Sequence, residues 1–196
     1  MKKRVVVVAS GETERRALPH LVSHLGEEEI QIDVRVPPRH RALRVDVVEK
    51  IVRAAWRDSV HDPPAKFVVL VDVDRAATPG DVVSPLQEGL SRRVSNVGAK
   101  LLFAYAQQHL EAWYFADAEN LRQWLGGRSL GSVDASSPDA IQDPKRHLSN
   151  LLGDRVYTAR TSEDIARRLD PRVIEQRSPS FRGLVEAVRN GGDASA

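Results

Sequence analysis

The chain lacks cysteine and also lacks any long apolar run. The absence of cysteine excludes disulfide bonds, zinc ribbons and catalysis by a thiol. No apolar run approaches the ~18–20 residues that a membrane-spanning helix needs. Walker A loops and Gly-x-Ser-x-Gly elbows are missing as well, so the sequence offers neither a P-loop nor the nucleophile elbow of an α/β-hydrolase. His20 and His24 are spaced i, i+4, but they lack a third ligand, so we expect no zinc site.

The amino-terminal segment lacks the features of a secretion signal. Its apolar run covers only residues 5–9, and charge resumes at Glu12, so the apolar centre of a signal peptide is missing. We therefore expect no membrane partner and a cytoplasmic location.

What the sequence does contain is an alternation of strand and helix patterns in its first half. Short apolar or alternating runs predict strands, and apolar residues at helical spacing predict the helices between them. This order predicts an α/β fold with a mostly parallel sheet of about four strands and helices on both faces. The predicted strands cover residues 5–9, 30–36, 67–71 and 100–105, and the predicted helices cover residues 14–25, 45–57 and 86–97.

The second half of the sequence has no strand pattern. Residues 126–143 are polar and predict a loop, and the rest predicts helices over residues 111–117, 118–125, 146–152, 163–169 and 178–189. We expect a Rossmann-like α/β core over residues 1–106, a helical C-terminal cap packed on it over residues 107–189, and a flexible tail over residues 190–196.

Two aspartates follow the most apolar predicted strand. Asp72 and Asp74 are spaced i, i+2, so their carboxylates point the same way from the strand end. Such a pair binds a hard cation, and strand ends are where ligands collect in open α/β sheets. The pair therefore predicts a Mg²⁺ or Mn²⁺ site, with a polar turn and helix cap as the alternative.

Acidic residues also follow the first predicted strand. Glu12 and Glu14 lie in the turn into the first helix, at the same edge of the sheet as the aspartate pair. Either one is a candidate metal ligand or catalytic acid, and an acid that favours the helix dipole is the alternative.

Two further residues are candidates for the same site. Glu111 lies in an aromatic segment, where a buried acid usually has a partner, so it is a candidate metal or substrate ligand. Lys145 begins a predicted helix after Pro144 and could neutralise charge on a scissile phosphate.

The basic residues of this chain are mostly arginines, and several cluster. Arginine forks suit phosphate groups, so a basic patch beside a metal site predicts binding of a nucleic-acid backbone. An arginine-rich coding bias would produce the same composition. The candidate contacts are Arg39, Arg41, Arg44 and Arg75.

Several short motifs together resemble the Toprim family, which includes topoisomerases, primases and the nuclease half of overcoming-lysogenisation-defect proteins. More closely, the chain resembles a bacterial Toprim-like family of unknown function that is described beside ABC-type ATPases in phage defence. The resemblance implies metal-dependent phosphoryl chemistry, DNA or RNA as substrate, and a separate ABC-type ATPase or a second copy of the chain as candidate partners. The motifs are Gly11-Glu-Thr-Glu14, Val71-Asp-Val-Asp74, His109-Leu-Glu111-Ala-Trp113, Asp143-Pro-Lys145 and Ser178-Pro-Ser-Phe181.

One position differs from the Toprim pattern. Toprim domains have a glutamate directly before the glycine, and this chain has Ser10. The hypotheses are therefore a nuclease-like enzyme in which Glu12 or Glu14 replaces that glutamate, or a catalytically degenerate partner that binds nucleic acid or an ATPase. An Asp-x-Asp phosphatase or glycosyltransferase is a third class, which the position of the motif on the third strand and the length of the chain disfavour.

Overall fold

The structure, a computed structural model, describes residues 2–38, 42–59, 61–73, 77–131 and 133–189. It is an α/β fold around a parallel sheet of four strands, as the alternation of patterns predicts. The strands lie in the order β2-β1-β3-β4, with the two Val-rich strands in the middle. Their bounds are β1 Lys3–Val8, β2 Ile30–Arg35, β3 Lys66–Val73 and β4 Lys100–Gln107.

Helices connect the strands and form all the regular structure that follows them in the described part of the chain. A 3₁₀ turn at Ser23–Glu28 leads into β2, and another at Pro138–Ala140 lies before α6. The helices are α1 Glu12–Leu21, α2 Val45–Arg57, α3 Pro79–Arg93, α4 Glu111–Ala116, α5 Ala118–Trp124, α6 Pro144–Leu152, α7 Ala159–Ala166, α8 Pro171–Arg177 and α9 Pro179–Arg189. None of them combines the length and apolar character that crossing a lipid bilayer requires.

The sheet is buried on both faces because side chains alternate along each strand. Val5 and Val7 belong to one core with α1, whereas Val6 and Val8 belong to a second core with α2 and α3. This arrangement follows from right-handed crossovers, since the step from β1 to β2 runs opposite to the steps from β2 to β3 and from β3 to β4.

The C-terminal helices complete the α1 face of the sheet. One continuous core contains side chains of β1, β3, β4, α1 and the helices from α4 to α9. Trp113 is fully buried there, meets the Phe181 ring edge-on at 5.1 Å, and donates from Nε1 to Ser180 Oγ at 2.8 Å. Residues 107–189 therefore share their core with the sheet.

Several predicted elements differ from the observed ones, including the helix predicted over residues 163–169, which is α7 at Ala159–Ala166. The third helix begins at Pro79 instead of residue 86, because Thr78 and Asp81 form a capping box and Pro79 takes the first helical position. The first helix ends at Leu21, since the chain continues as a 3₁₀ turn. Helix α8 lacks a prediction altogether: it is one short segment, and Ser178 separates it from α9.

Candidate active site at the carboxyl edge of the sheet

The strand order reverses direction between β1 and β3, and ligands bind at such switch points in open α/β sheets. Val8 pairs with Val69, so Asp72 lies three residues farther along β3, beyond the end of β1. Asp72 pairs with Ala106 of β4 and shares the alternation of Val68 and Leu70, which face α1. The crevice is therefore bounded by the turn after β1, the end of β3 and the loop after β4.

Glu14 is the acid of the first turn that points into this crevice. It is only 8% exposed, and its Oε1 accepts a hydrogen bond from Ser10 Oγ at 3.0 Å. Burial raises the pKa of Glu14, and the nearby carboxylates of Asp72 and Glu111 add to the increase. Ser10 thus holds the Glu14 carboxylate in place.

Asp72 has a basic neighbour from the loop after β4. His109 Nδ1 lies 3.7 Å from Asp72 Oδ2, and both side chains are partly exposed. The Asp72 carboxylate raises the pKa of His109, so this histidine carries positive charge more readily than a free one. Because α4 begins only at Glu111, His109 lies in the loop and is free of helical geometry.

Glu111 is the most deeply buried acid of the cluster. It is 2% exposed, and burial raises the pKa of its carboxyl. Tyr157 approaches this carboxyl, and its buried hydroxyl completes no well-aligned hydrogen bond within the described ranges. Behind it, Tyr114 and Ser162 are fully buried and hydrogen-bond to each other through their hydroxyls. Glu111 therefore lies against a wall of buried hydroxyl groups.

Lys145 reaches the cluster because the loop after β4 positions helix α6. Gln108 donates to Ile141 O at 3.0 Å and accepts from the Asp143 amide at 2.8 Å, and Asp143 precedes α6. Gln108 and Asp143 both have left-handed backbones, with φ of 61° and 50°. Strain of this kind gathers at functional sites. The positive charge of Lys145 acts on both Glu111 and His109.

Glu12 differs from Glu14 although it is only two residues away. It accepts hydrogen bonds from Arg15 and Arg16 on the surface, and the Arg15 guanidinium lowers its pKa to about 2. Of the two candidate acids, the structure brings Glu14 to the site and pairs Glu12 with arginines.

The predicted nucleic-acid contacts are mostly beyond what the structure describes. Arg44 is exposed at the start of α2, with a loose ion pair to Asp46 at 3.9 Å. The remaining predicted contacts Arg39, Arg41 and Arg75, and the predicted metal ligand Asp74, lie outside the described residues.

The acids have the right chemistry for a divalent cation but form no closed ligand set by themselves. No group of three or more acidic or histidine side chains within the described ranges is close enough to hold a metal ion. Mg²⁺, however, is commonly held by one or two carboxylates together with waters and substrate phosphates. Asp72 near the end of β3 and Glu14 in the first turn of α1 are close enough for the Asp72 charge to raise the pKa of Glu14, and the two fit that smaller requirement.

A family model described as a domain of unknown function, DUF4276, matches residues 10–189. The chain belongs to the DUF4276 family. Comparisons with curated proteins and with solved structures give no match. The DUF4276 match begins at Ser10 and ends at the last residue of α9, so it covers both the crevice and the helices that enclose it.

The Ser178-Pro-Ser-Phe181 motif and Asp117 of this DUF4276 chain have structural roles. Ser178 and Ser180 donate through their hydroxyls to Asp139, which fastens the loop before α6 to the start of α9. Asp117 caps α5 and accepts from the Asp170 amide at 2.7 Å.

Sequence reasoning missed the positioning roles of Ser10, Gln108 and Tyr157. Of these three, only Ser10 could have been found from the sequence, because it directly follows the first predicted strand, where site residues collect.

Proposed function

We propose that this chain carries out divalent-metal-dependent phosphodiester chemistry on DNA or RNA, as a nuclease-like enzyme. The observation that carries the proposal is the electrostatic coupling of three carboxyl groups at the switch point of the sheet. Glu14, Asp72 and Glu111 come from three separate elements, α1, β3 and α4, and burial together with the charges of the other two acids raises the pKa of Glu14. Like charges gathered in this way are stabilised by a bound cation.

Asp72 and Glu14 are the residues that would hold the ion, with Asp74 as a further candidate ligand and Glu111 as a ligand at the back of the crevice. When bound, Mg²⁺ or Mn²⁺ supplies charge stabilisation for the phosphate and lowers the pKa of a coordinated water. Ser10 orients the Glu14 carboxyl through its hydrogen bond, and Tyr157 lies against Glu111.

The basic residues of the crevice act on the substrate. Lys145 is exposed at the first turn of α6, so its ammonium can contact a phosphate oxygen and offset the charge that develops there. His109 is held by Asp72 in a form that favours the imidazolium, which can donate a hydrogen bond to a second oxygen. The two groups lie near each other, because Gln108 ties the loop after β4 to the segment that precedes α6.

The resemblance to Toprim domains supports this proposal through the geometry at residue 10. The Glu14 carboxylate accepts a hydrogen bond from Ser10, the residue at which the sequence pattern of this resemblance has a glutamate. We propose that Glu14 supplies the carboxylate that Ser10 lacks. A role in phage defence is the biological setting that the resemblance implies.

A second candidate function is a catalytically degenerate partner of nucleic acid, of an ABC-type ATPase or of a second copy of the chain. The observation that favours it is the burial of Glu14 and Glu111, whose raised pKa values disfavour the ionised forms that bind metal.

A cleavage assay separates the two candidates. Supercoiled plasmid, single-stranded DNA and single-stranded RNA are incubated with Mg²⁺, Mn²⁺ or EDTA, using the wild type, Asp72→Asn and Lys145→Gln. Glu119→Gln is the matched control, because Glu119 is exposed and bonds only to Arg122 among the described residues. Metal-dependent cleavage that both site variants lose and the control keeps supports the enzyme. Intact substrate in every reaction rejects it for the isolated chain.

A further inference from the structure

A groove of about 800 Å³ lies beside the crevice, at the carboxyl end of edge strand β2. Its walls come from the start of α1 and from the end of β2 with the two prolines that follow. Alternation along β2 turns Val34 and Val36 toward α1 and leaves Asp33 and Arg35 on the other face, so the groove wraps around the open edge of the sheet. Its volume suits a ligand larger than a single ion.

Each carboxylate of the groove is shared by two arginines. Glu12 accepts from Arg15 and Arg16, and Asp33 accepts from Arg4 and Arg35. Arg16 also reaches Glu163, which pairs with Arg167 as well, so five guanidinium groups meet three carboxylates around this surface. The surface is therefore net positive, in contrast to the acidic crevice two residues along α1.

The two arginines that line the groove are held in fixed orientations. Arg15 uses Nε and Nη2 on Glu12, and Arg35 uses Nε and Nη2 on Asp33. In both residues Nη1 makes no hydrogen bond to another described residue, and both side chains are more than 40% exposed. A guanidinium oriented by a carboxylate and open at its far end is suited to a phosphate oxygen.

We propose that this groove binds a single strand of nucleic acid and leads it to the crevice. The inference rests on the proposed function, because it names the substrate class of that site. Arg15 and Arg35 contact successive phosphates, while Val34, Val36 and the Pro37-Pro38 segment form an apolar wall for unstacked bases. A positive groove with an apolar wall is the usual form of a single-strand site, whereas a duplex presents stacked bases and only its phosphates.

Binding is measured by fluorescence anisotropy with labelled 12-nucleotide single strands and the matching duplex, in EDTA so that no cleavage occurs. The variants are Arg15→Gln/Arg35→Gln and, with the charge kept, Arg15→Lys/Arg35→Lys. The matched control is Arg172→Gln/Arg182→Gln, which removes the same charge from another arginine-lined cavity between α8 and α9. Circular dichroism verifies that each variant is folded.

We expect Arg15→Gln/Arg35→Gln to weaken single-strand binding roughly tenfold and to lower the salt slope by about 1.4. The lysine pair keeps most of the slope, and the control pair changes binding less than twofold. Glu12→Gln, which removes a negative charge from the groove, binds at least as tightly as the wild type. Equal weakening in both glutamine pairs, tighter binding of the duplex, or no binding by the wild type overturns the proposal.

The inference and the proposed function fail separately. If single strands bind through Arg15 and Arg35 but are never cut, the groove proposal stands and the enzyme proposal is rejected. Cleavage that requires Asp72 but ignores the two arginines keeps the enzyme and rejects the groove.

Discussion

The two edges of the sheet both gather like charges, but the carbonyl end of a helix holds these charges at only one edge. At the amino edge, Lys3 and Lys66 begin neighbouring strands, and their ammonium groups donate to the Arg189 and Ala187 carbonyls at the end of α9. At the carboxyl edge, Glu14 and Glu111 are buried acids with raised pKa values. The helix dipole of α9 places negative charge against the lysines.

The difference shows how structural charge can be distinguished from functional charge. A buried like-charge pair costs free energy at either edge. Where the fold brings its own partner, as α9 does, the pair fastens an element to the sheet. Where the described chain brings only Lys145 and His109 to three acids, the remaining repulsion favours an added cation.

The largest effect is expected from substitutions at the carboxyl edge of the sheet. Asp72→Asn and Lys145→Gln should each lower metal-dependent cleavage by about 10²–10³-fold, because they remove a cation ligand and a phosphate contact. Initial rates at saturating substrate measure the loss, and melting temperatures show whether the fold is kept. Rates within threefold of the wild type for both variants would contradict this assignment of the site.

The next effect belongs to the amino edge and depends on pH. Burial and the charge of Lys3 lower the pKa of Lys66 to about 8, whereas the unfolded chain holds that proton to about 10.5. Since the unfolded state then binds more protons, stability should rise between pH 8 and 10.5 by up to about 3 kcal/mol. Urea unfolding of the wild type against Lys66→Met isolates this increase. A pH-independent difference would mean that Lys66 titrates normally.

A smaller effect is expected at Glu111, where the pH dependence of stability has the opposite sign. Its raised pKa means that the folded state binds more protons than the unfolded state above pH 4.5, so wild-type stability falls there as pH rises. Glu111→Gln should therefore stabilise the protein by about 1 kcal/mol at pH 7 and by nothing at pH 4. Thermal melts across this range measure the difference.

Glu12→Gln is the matched control for that experiment. The pKa of Glu12 is lowered to about 2, so its ion pairs stabilise the fold above pH 4.5 and are lost toward pH 2. Its replacement should destabilise the protein by about 0.5 kcal/mol at pH 7, as expected for a surface pair. If both variants changed the stability at pH 7 in the same direction, the distinction between the ion-paired Glu12 and the buried Glu111 would be contradicted.

The smallest effect is stabilisation by the ion itself. At 10 mM Mg²⁺, a site with millimolar affinity should add about 1 kcal/mol to the unfolding free energy of the wild type. Asp72→Asn should lose this increment, and Lys66→Met should keep it. Differential scanning calorimetry with Mg²⁺ and with EDTA makes the measurement, and an equal shift in all three proteins would indicate a nonspecific salt effect.

Much of the fold was predictable, because it depends on local patterns. Helix α2 was predicted with its observed bounds, since its apolar residues repeat at helical spacing over Val45–Arg57. Helix α3 was predicted too short, because its first turns depend on the cap at Thr78 and carry few buried residues.

The choice between Glu12 and Glu14 was open in the prediction, although the helical period held a signal. Residues two apart on a helix are about 200° apart, so these acids face opposite sides. Glu14 lies three and four residues before Ala17 and Leu18, which are buried, and so it shares their inward face. The missing information was the start of α1 at Glu12.

The sequence by itself determined the order of strands and helices, the two apolar faces of the sheet and the position of Asp72 at a strand end. These features follow from periods of two and 3.6 residues, which are properties of neighbouring side chains. Only the tertiary structure decided that Glu14, Glu111 and Lys145 meet Asp72, and that α9 ends against Lys3 and Lys66. Such meetings join residues far apart in the chain, and they depend on strand order and on the packing of helices that no local period encodes.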